Sequence, residues 1–174
     1  MRVYAWQGID SPRFEVAFVD VHRDRLLARG TQLGADYRLT YTLETGAEFV
    51  SGHFHALCET ASDETTLELR RGRSPLDDDV LDIDLGFSPL FNTLPVLRHG
   101  LHAGGSSREF VMAFVDVPSL DVSLSRQTYE PLERRVVRYR SGSFAADVRF
   151  DADGFVLDYP GLARRVETAT MSPA

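Results

Sequence analysis

The stretch Leu81–Arg98, LDIDLGFSPLFNTLPVLR, combines a strand pattern with a high density of polar groups. Its first half, Leu81–Leu85, alternates apolar residues with Asp82 and Asp84, which predicts a strand with one apolar and one polar face. The pair Ser88-Pro89 then interrupts the strand and turns the chain. A strand that carries core residues and runs directly into a polar turn predicts a lined cavity or a buried polar network.

Two carboxylates, an amide and a guanidinium fall within this span: Asp82, Asp84, Asn92 and Arg98. Side chains two residues apart on a strand lie roughly 7 Å apart, a separation that suits the acid and the nucleophile of a glycoside hydrolase. A solvated sheet face and a network that braces the fold are the alternatives, and spacing alone leaves all three open. We favour a structural or ligand-lining role and assign no catalytic residue.

Composition and charge narrow the class of protein. A length of 174 residues predicts a single domain, with residues 1–170 as its body and 171–174 as a tail. The formal net charge of -7 argues against nucleic acid as a partner. No apolar run approaches the roughly 20 residues that span a membrane, and the N-terminus has no secretory h-region. We therefore expect a cytoplasmic protein with no stable membrane insertion.

Residue types exclude two kinds of chemistry. All 19 basic residues are Arg, so no Lys is present to act as a Schiff-base or nucleophilic residue. The single cysteine, Cys58, excludes an internal disulfide.

Strand patterns dominate the chain. Alternating or apolar runs predict strands over Glu15–Asp20, Tyr37–Glu44, Phe49–Leu57, Thr65–Arg70 and Phe110–Val117. No long amphipathic helix is visible. Short helical turns are predicted only over Pro131–Arg135 and Leu162–Val166.

The last third of the chain predicts an antiparallel meander. A two-residue turn at Ser141-Gly142 would close a hairpin in which Tyr139 lies opposite Phe144. A second tight turn at Asp153-Gly154 would pair Phe150 with Leu157 and Val148 with Tyr159.

A partial metal motif lies in one predicted strand. His53, His55 and Glu59 have a spacing close to the first metal motif of cupins. The downstream half of that motif is missing, so we expect no metal and no other cofactor.

Several motifs together resemble the putative glycolipid-binding family of bacterial proteins. They occur at Asp82–Leu85 (DIDL), Ser88–Pro95 (SPLFNTLP), Phe114–Leu120 (FVDVPSL), Arg126–Tyr129 (RQTY) and Asp151–Leu162 (DADGFVLDYPGL). Near the start, Trp6 and Glu15 also fit the family, so the resemblance covers nearly the whole chain.

The resemblance implies an all-β domain: a single, strongly curved antiparallel sheet that forms an incomplete barrel or spiral β-roll around a cavity. With the patterns above, we expect only a few short helical turns. A concave apolar face holds an acyl chain, and carboxylates and amides hydrogen-bond sugar hydroxyls. The candidate ligand-binding residues are Glu15, Asp82, Asp84, Asn92, Arg98, Gln127, Tyr129 and Asp158.

The leading hypothesis is therefore non-enzymatic binding of a glycolipid or another amphiphile. An enzyme that acts on a sugar or lipid through Asp82 and Asp84 is one alternative. An interaction module, in which the polar cluster only braces one edge of the β-roll, is the other.

Overall fold

The computed structural model describes residues 1–166 of the chain, so the predicted tail lies outside the described residues. Within that range, thirteen strands, one α-helix and two short 3-10 helices form the fold. The strands are β1 Arg2–Gly8, β2 Phe14–His22, β3 Arg25–Leu33, β4 Tyr37–Thr45, β5 Ser51–Thr60, β6 Glu64–Arg70, β7 Asp82–Leu85, β8 Arg108–Val115, β9 Val122–Glu133, β10 Val136–Ser141, β11 Phe144–Phe150, β12 Val156–Tyr159 and β13 Ala163–Val166. The α-helix is α1 Thr93–His99, and the 3-10 helices are Ala47–Phe49 and Leu101–Ala103.

All thirteen strands belong to one sheet, in the order β6-β5-β4-β3-β2-β1-β13-β12-β11-β10-β9-β8-β7. The two edge strands of the described sheet do not pair, so it forms an incomplete barrel and confirms the predicted all-β class. One detail of the prediction is wrong, because β7 pairs with β8 in parallel rather than antiparallel. Parallel neighbours need a crossover connection, and the segment that contains α1 supplies it.

Alternation places one side of the strands in the core, as β4 illustrates. Leu39, Tyr41 and Leu43 are buried on the inner face and Tyr37 is partly buried there, as the pattern of this segment predicts. The other strands predicted from periodicity also form, with ends that differ by a few residues.

The registers of the C-terminal hairpins differ in part from the prediction. Ser141 pairs with Phe144, so the turn residues are Gly142-Ser143 and Tyr139 lies opposite Ala146. Gly142 has a φ of 57°, the left-handed conformation that tight hairpin turns require. Tyr139 and Phe144 still touch diagonally, with ring centroids 6.1 Å apart.

The second hairpin contains a β-bulge that the sequence prediction lacks. Arg149 pairs with Asp158, in the predicted register, but Phe150 pairs with Val156 rather than with Leu157. The bulge absorbs one extra residue on β12.

The helical predictions are wrong in position. Pro131 lies in β9, and Ala163–Val166 forms β13, which pairs with β1 and β12. The α-helix instead occupies Thr93–His99, where Pro95 is tolerated in the first turn. Gly100, with a φ of 61°, ends it in the left-handed conformation.

The interior of the curved sheet is filled largely by α1 and the residues around it. Phe91 and Leu94 pack in the core beside the strands β1–β5, and Val96 and Leu101 pack against β8–β12. Helix α1 therefore connects the two halves of the core. No helix in residues 1–166 is long and apolar enough to cross a membrane.

Candidate ligand-binding site

Strand β7 is buried on both faces. Asp82 and Asp84 lie on the same side of the strand, as alternation predicts, but they are only 1% and 8% exposed. The solvated-face interpretation is therefore wrong, because the inner side of β7 is covered by the rest of the barrel. Each carboxylate then needs a partner inside the protein.

Asp82 has a cationic partner. Arg98 of α1 donates from Nη1 to Oδ2 over 2.8 Å and from Nη2 to Oδ1 over 2.5 Å, and its side chain is 3% exposed. The same guanidinium donates to the carbonyls of Glu48 and Phe49. This pair therefore ties α1 to β7 and to the 3-10 helix that precedes β5.

Asp84 belongs to a chain of hydrogen bonds whose other members are neutral. Its Oδ2 accepts a 2.6 Å hydrogen bond from Nε2 of Gln127. The Oε1 atom of Gln127 accepts from the hydroxyl of Tyr129 at 3.3 Å, and that hydroxyl accepts from Nδ2 of Asn92 at 2.8 Å. Four of the predicted site residues therefore form one connected network.

Burial raises the pKa of Asp84 to about 6, and the neighbouring Asp82 charge adds to the effect. The hydrogen bond from Gln127 acts in the opposite direction, but it does not cancel the desolvation. The carboxyl is therefore largely ionised at neutral pH and becomes neutral in mildly acidic solution.

A cavity of about 300 Å³ lies beside Asp84. It is lined by Asp84, Leu85, Gly86, Phe87, Ser88, Asn92, Phe114, Tyr139, Ser141, Phe144, Tyr159 and Leu162. Most of the lining comes from five strands and one turn, namely β7, β8, β10, β11, β12 and the turn after β7.

Polar and aromatic groups occupy different parts of this cavity. Asp84, Ser88 and Asn92 are buried and form a polar floor. Phe87 and Phe144, which are 38% and 44% exposed, form an aromatic rim. The cavity therefore presents polar groups at depth and apolar surface near solvent.

Glu15 lies behind this floor. Its Oε1 accepts hydrogen bonds from the hydroxyls of Tyr41 at 2.6 Å and Ser88 at 2.7 Å, while Oε2 is buried without a partner in residues 1–166. Burial raises the pKa of Glu15 to about 7. Glu15 does not line the cavity, but it holds Ser88, which does.

The family of the chain follows from its match to known proteins. A family model described as "Putative glycolipid-binding" matches residues 3–165. The chain belongs to the putative glycolipid-binding family. A crystal structure of a DUF1089 family protein from Pseudomonas aeruginosa is similar to it, with 28% sequence identity and a TM-score of 0.74, over 92% of this chain and 95% of that chain. No curated protein matches this chain.

The motifs that resemble the putative glycolipid-binding family meet around the cavity. Asp82–Leu85 and Ser88–Pro95 supply its floor, and Phe114–Leu120 supplies Phe114. Arg126–Tyr129 supplies the hydrogen bonds that hold Asp84 and Asn92, and Asp151–Leu162 supplies two lining residues, Tyr159 and Leu162. Segments far apart in the chain therefore build one site.

Asp84 and Asn92 are the candidate ligand-binding residues that line the cavity, and Asp158 is one of those that do not. Its Oδ1 accepts a 3.0 Å hydrogen bond from Nε of the exposed Arg164 on β13. Because adjacent strand residues point to opposite faces, Asp158 faces away from the side on which Tyr159 lines the cavity.

Several lining residues are not among the candidate ligand-binding residues. Tyr139 and Tyr159 are amphipathic aromatics, which either fill a core or line a pocket, and the sequence does not separate these two roles. Ser88 is predicted only as part of a turn. Phe144 lines the rim because the observed hairpin register places it diagonally from Tyr139.

The partial metal motif does not come together as a metal site. His53 and His55 point outward from β5, and Nε2 of His53 lies 3.0 Å from Oε1 of Glu68. Across residues 1–166, no three potential metal ligands group closely enough to hold an ion.

Proposed function

We propose that this protein binds an amphiphilic ligand of the glycolipid type in the cavity beside Asp84, without changing it chemically. The observation that carries this proposal is the cavity itself, with a polar floor beneath an aromatic rim. A concave, mostly apolar site with a few convergent polar groups is the usual form of a small-molecule site.

The arrangement suits a ligand that enters with its headgroup first. Asp84, Asn92 and Ser88 offer hydrogen-bond acceptors and donors to hydroxyl groups at the floor. The rings of Phe87 and Phe144 would cover the adjoining hydrocarbon. A volume of about 300 Å³ is at the small end for ligand sites, so the cavity would hold the headgroup while the remaining chain extends over the rim.

Binding without catalysis is favoured by the position of Asp82. Two-carboxylate glycoside hydrolysis needs both groups at the scissile bond. Asp82 is instead engaged at both oxygens by Arg98 and does not line the cavity. A screen of chromogenic glycosides would test this point. If the wild type hydrolyses a glycoside and both Asp82→Asn and Asp84→Asn lose this activity, the protein is an enzyme and the proposal is contradicted.

The experiment that tests binding is calorimetric titration with octyl β-D-glucoside below its micelle concentration, together with native mass spectrometry of freshly purified protein. We expect saturable one-to-one binding that Phe144→Ala weakens by several-fold. Phe18→Ala is the matched control, because Phe18 is a similarly exposed phenylalanine that lies outside this cavity. No binding by the wild type and no co-purified lipid would contradict the proposal and favour an interaction module.

A further inference from the structure

The two carboxylates of β7 are compensated very differently. Asp82 is neutralised inside the protein by the two-point contact with Arg98. In residues 1–166, Asp84 has no Arg or His within ion-pair distance, and Gln127, which donates to it, is neutral. A buried carboxylate without a countercharge is unfavourable. A cation would therefore be stabilised more strongly next to Asp84 than next to Asp82.

Within the described residues, the lining of the cavity next to Asp84 supplies no positive charge, and the Arg13 guanidinium lies outside it, over the ring of Phe87 at 4.0 Å from the ring centroid. The described cavity lining contains no Arg or His, and Asp84 is its one acidic residue. Burial, together with the Asp84 charge, raises the pKa of Tyr129, Tyr139 and Tyr159. These tyrosines therefore stay neutral and add no second negative charge beside Asp84.

The rest of the lining favours a cation as well. Tyr139, Phe144 and Tyr159 pack against one another, with ring centroids 5.9 to 6.3 Å apart. Phe114 and Phe87 also line the cavity, and the Arg13 guanidinium is already stacked on the Phe87 ring. Aromatic rings attract cations electrostatically, and aromatic sites with a carboxylate are typical of ammonium recognition.

We propose that the headgroup bound at the floor of this cavity carries a positive charge, as an amino sugar or an alkylammonium group does, and that Asp84 is its counterion. The proposal rests on the proposed function and makes it more specific. A neutral sugar would leave the Asp84 carboxylate uncompensated, whereas an ammonium group would pair with it directly.

A matched set of probes tests this proposal on the wild-type protein. Octyl β-D-glucoside, octyl β-D-glucosaminide and octyl N-acetyl-β-D-glucosaminide differ only at the 2-position, and only the glucosaminide is charged. Titration calorimetry near neutral pH should show the glucosaminide binding about tenfold tighter or more than the other two. Equal affinities for the three probes would overturn the proposal of a charged headgroup and leave the proposed function unaffected. If none of the three probes binds, both the charged headgroup and the proposed function are contradicted.

A variant pair then assigns the selectivity to one side chain. Asp84→Asn should remove the tenfold preference for the glucosaminide, because the substitution should weaken binding of the glucosaminide about tenfold more than binding of octyl β-D-glucoside. Asp147→Asn removes the same formal charge from an exposed ion pair with Arg138, so it controls for general attraction to an acidic protein. Retained selectivity in Asp84→Asn, or equal losses in both variants, would overturn the assignment to Asp84.

A quaternary probe separates the two sources of positive charge. Hexyltrimethylammonium carries charge without sugar hydroxyls. Binding of this probe that Asp84→Asn weakens would support an alkylammonium headgroup, whereas selectivity confined to the glucosaminide would support an amino sugar.

Discussion

Arg98 and Asp82 form a buried ion pair with two parallel contacts, Nη1–Oδ2 at 2.8 Å and Nη2–Oδ1 at 2.5 Å. The pair joins α1, which fills the barrel, to the edge strand β7. Its position makes the pair a structural brace, while Asp84, two residues along the same strand, faces the cavity.

Removing the Arg98 side chain should strongly destabilise the protein. Arg98→Ala leaves the Asp82 carboxylate buried and unpaired, and we expect a loss of about 3–5 kcal/mol in the free energy of unfolding. Urea denaturation followed by circular dichroism measures this loss. Arg138→Ala is the matched control, because Arg138 also makes a two-point contact, through Nε and Nη2 to Asp147, but at an exposed position. That control should lose no more than about 1 kcal/mol, and similar losses in both variants would contradict the structural role of burial.

Glu15 should make stability depend on pH in an unusual direction. The pKa of Glu15 is raised from 4.5 to about 7, so between these values the folded state holds a proton that the unfolded state has lost. The stability contributed by this group is therefore complete below about pH 4.5 and is lost as the pH rises through 7, by roughly 3 kcal/mol in total.

Glu15→Gln replaces this carboxyl with a neutral amide and should remove that dependence. Asp84, whose pKa is also raised, acts in the same direction, so the quantity to measure is the difference in unfolding free energy between wild type and variant at each pH. We expect the unfolding free energy of Glu15→Gln to increase relative to that of the wild type as the pH rises from 4.5 to 8. Glu64→Gln, at an exposed position, should show no such trend, and a constant difference for Glu15→Gln would refute the prediction.

A side chain at position 30 should disturb the group that holds Glu15. Gly30 lies opposite Tyr41 across β3 and β4, and a Cβ atom built on Gly30 would overlap the Tyr41 ring, whose hydroxyl reaches Glu15. Gly30→Ala should therefore lower the free energy of unfolding by about 1–3 kcal/mol. Gly46→Ala is the control, since a Cβ there would lie 3.9 Å from the Val50 carbonyl oxygen, its nearest contact beyond the adjoining residues. Thermal denaturation of both variants measures the effect. A Gly30→Ala variant with the same stability as the wild type would contradict the prediction and show that Tyr41 can move aside.

Local sequence patterns predict most of the strands but not the α-helix. Alternation predicts β4 and places Asp82 and Asp84 on one side of β7, because successive side chains on a strand point to opposite faces. The sequence pattern does not predict the helix at Thr93–His99, because this helix is short and contains Pro95. Core packing stabilises it rather than helix propensity.

The sequence groups several residues of the polar network but does not predict their arrangement, and their role in ligand binding stays a prediction. Asp84, Asn92, Gln127 and Tyr129 do meet, whereas Asp158 faces the other side of the sheet. Ser88 and Phe144 could not be assigned from the sequence, since their roles depend on Glu15 and on a hairpin register.

The all-β class, the family and the density of polar groups on β7 can be predicted from the amino-acid sequence alone. Three further features depend on the fold: the polar side of β7 faces inward, Asp82 is paired with Arg98, and Asp84 borders a cavity. Alternation determines which side chains share a face of a strand, but not what covers that face. The covering groups come from distant positions, with Arg98 16 residues from Asp82 and Gln127 43 residues from Asp84.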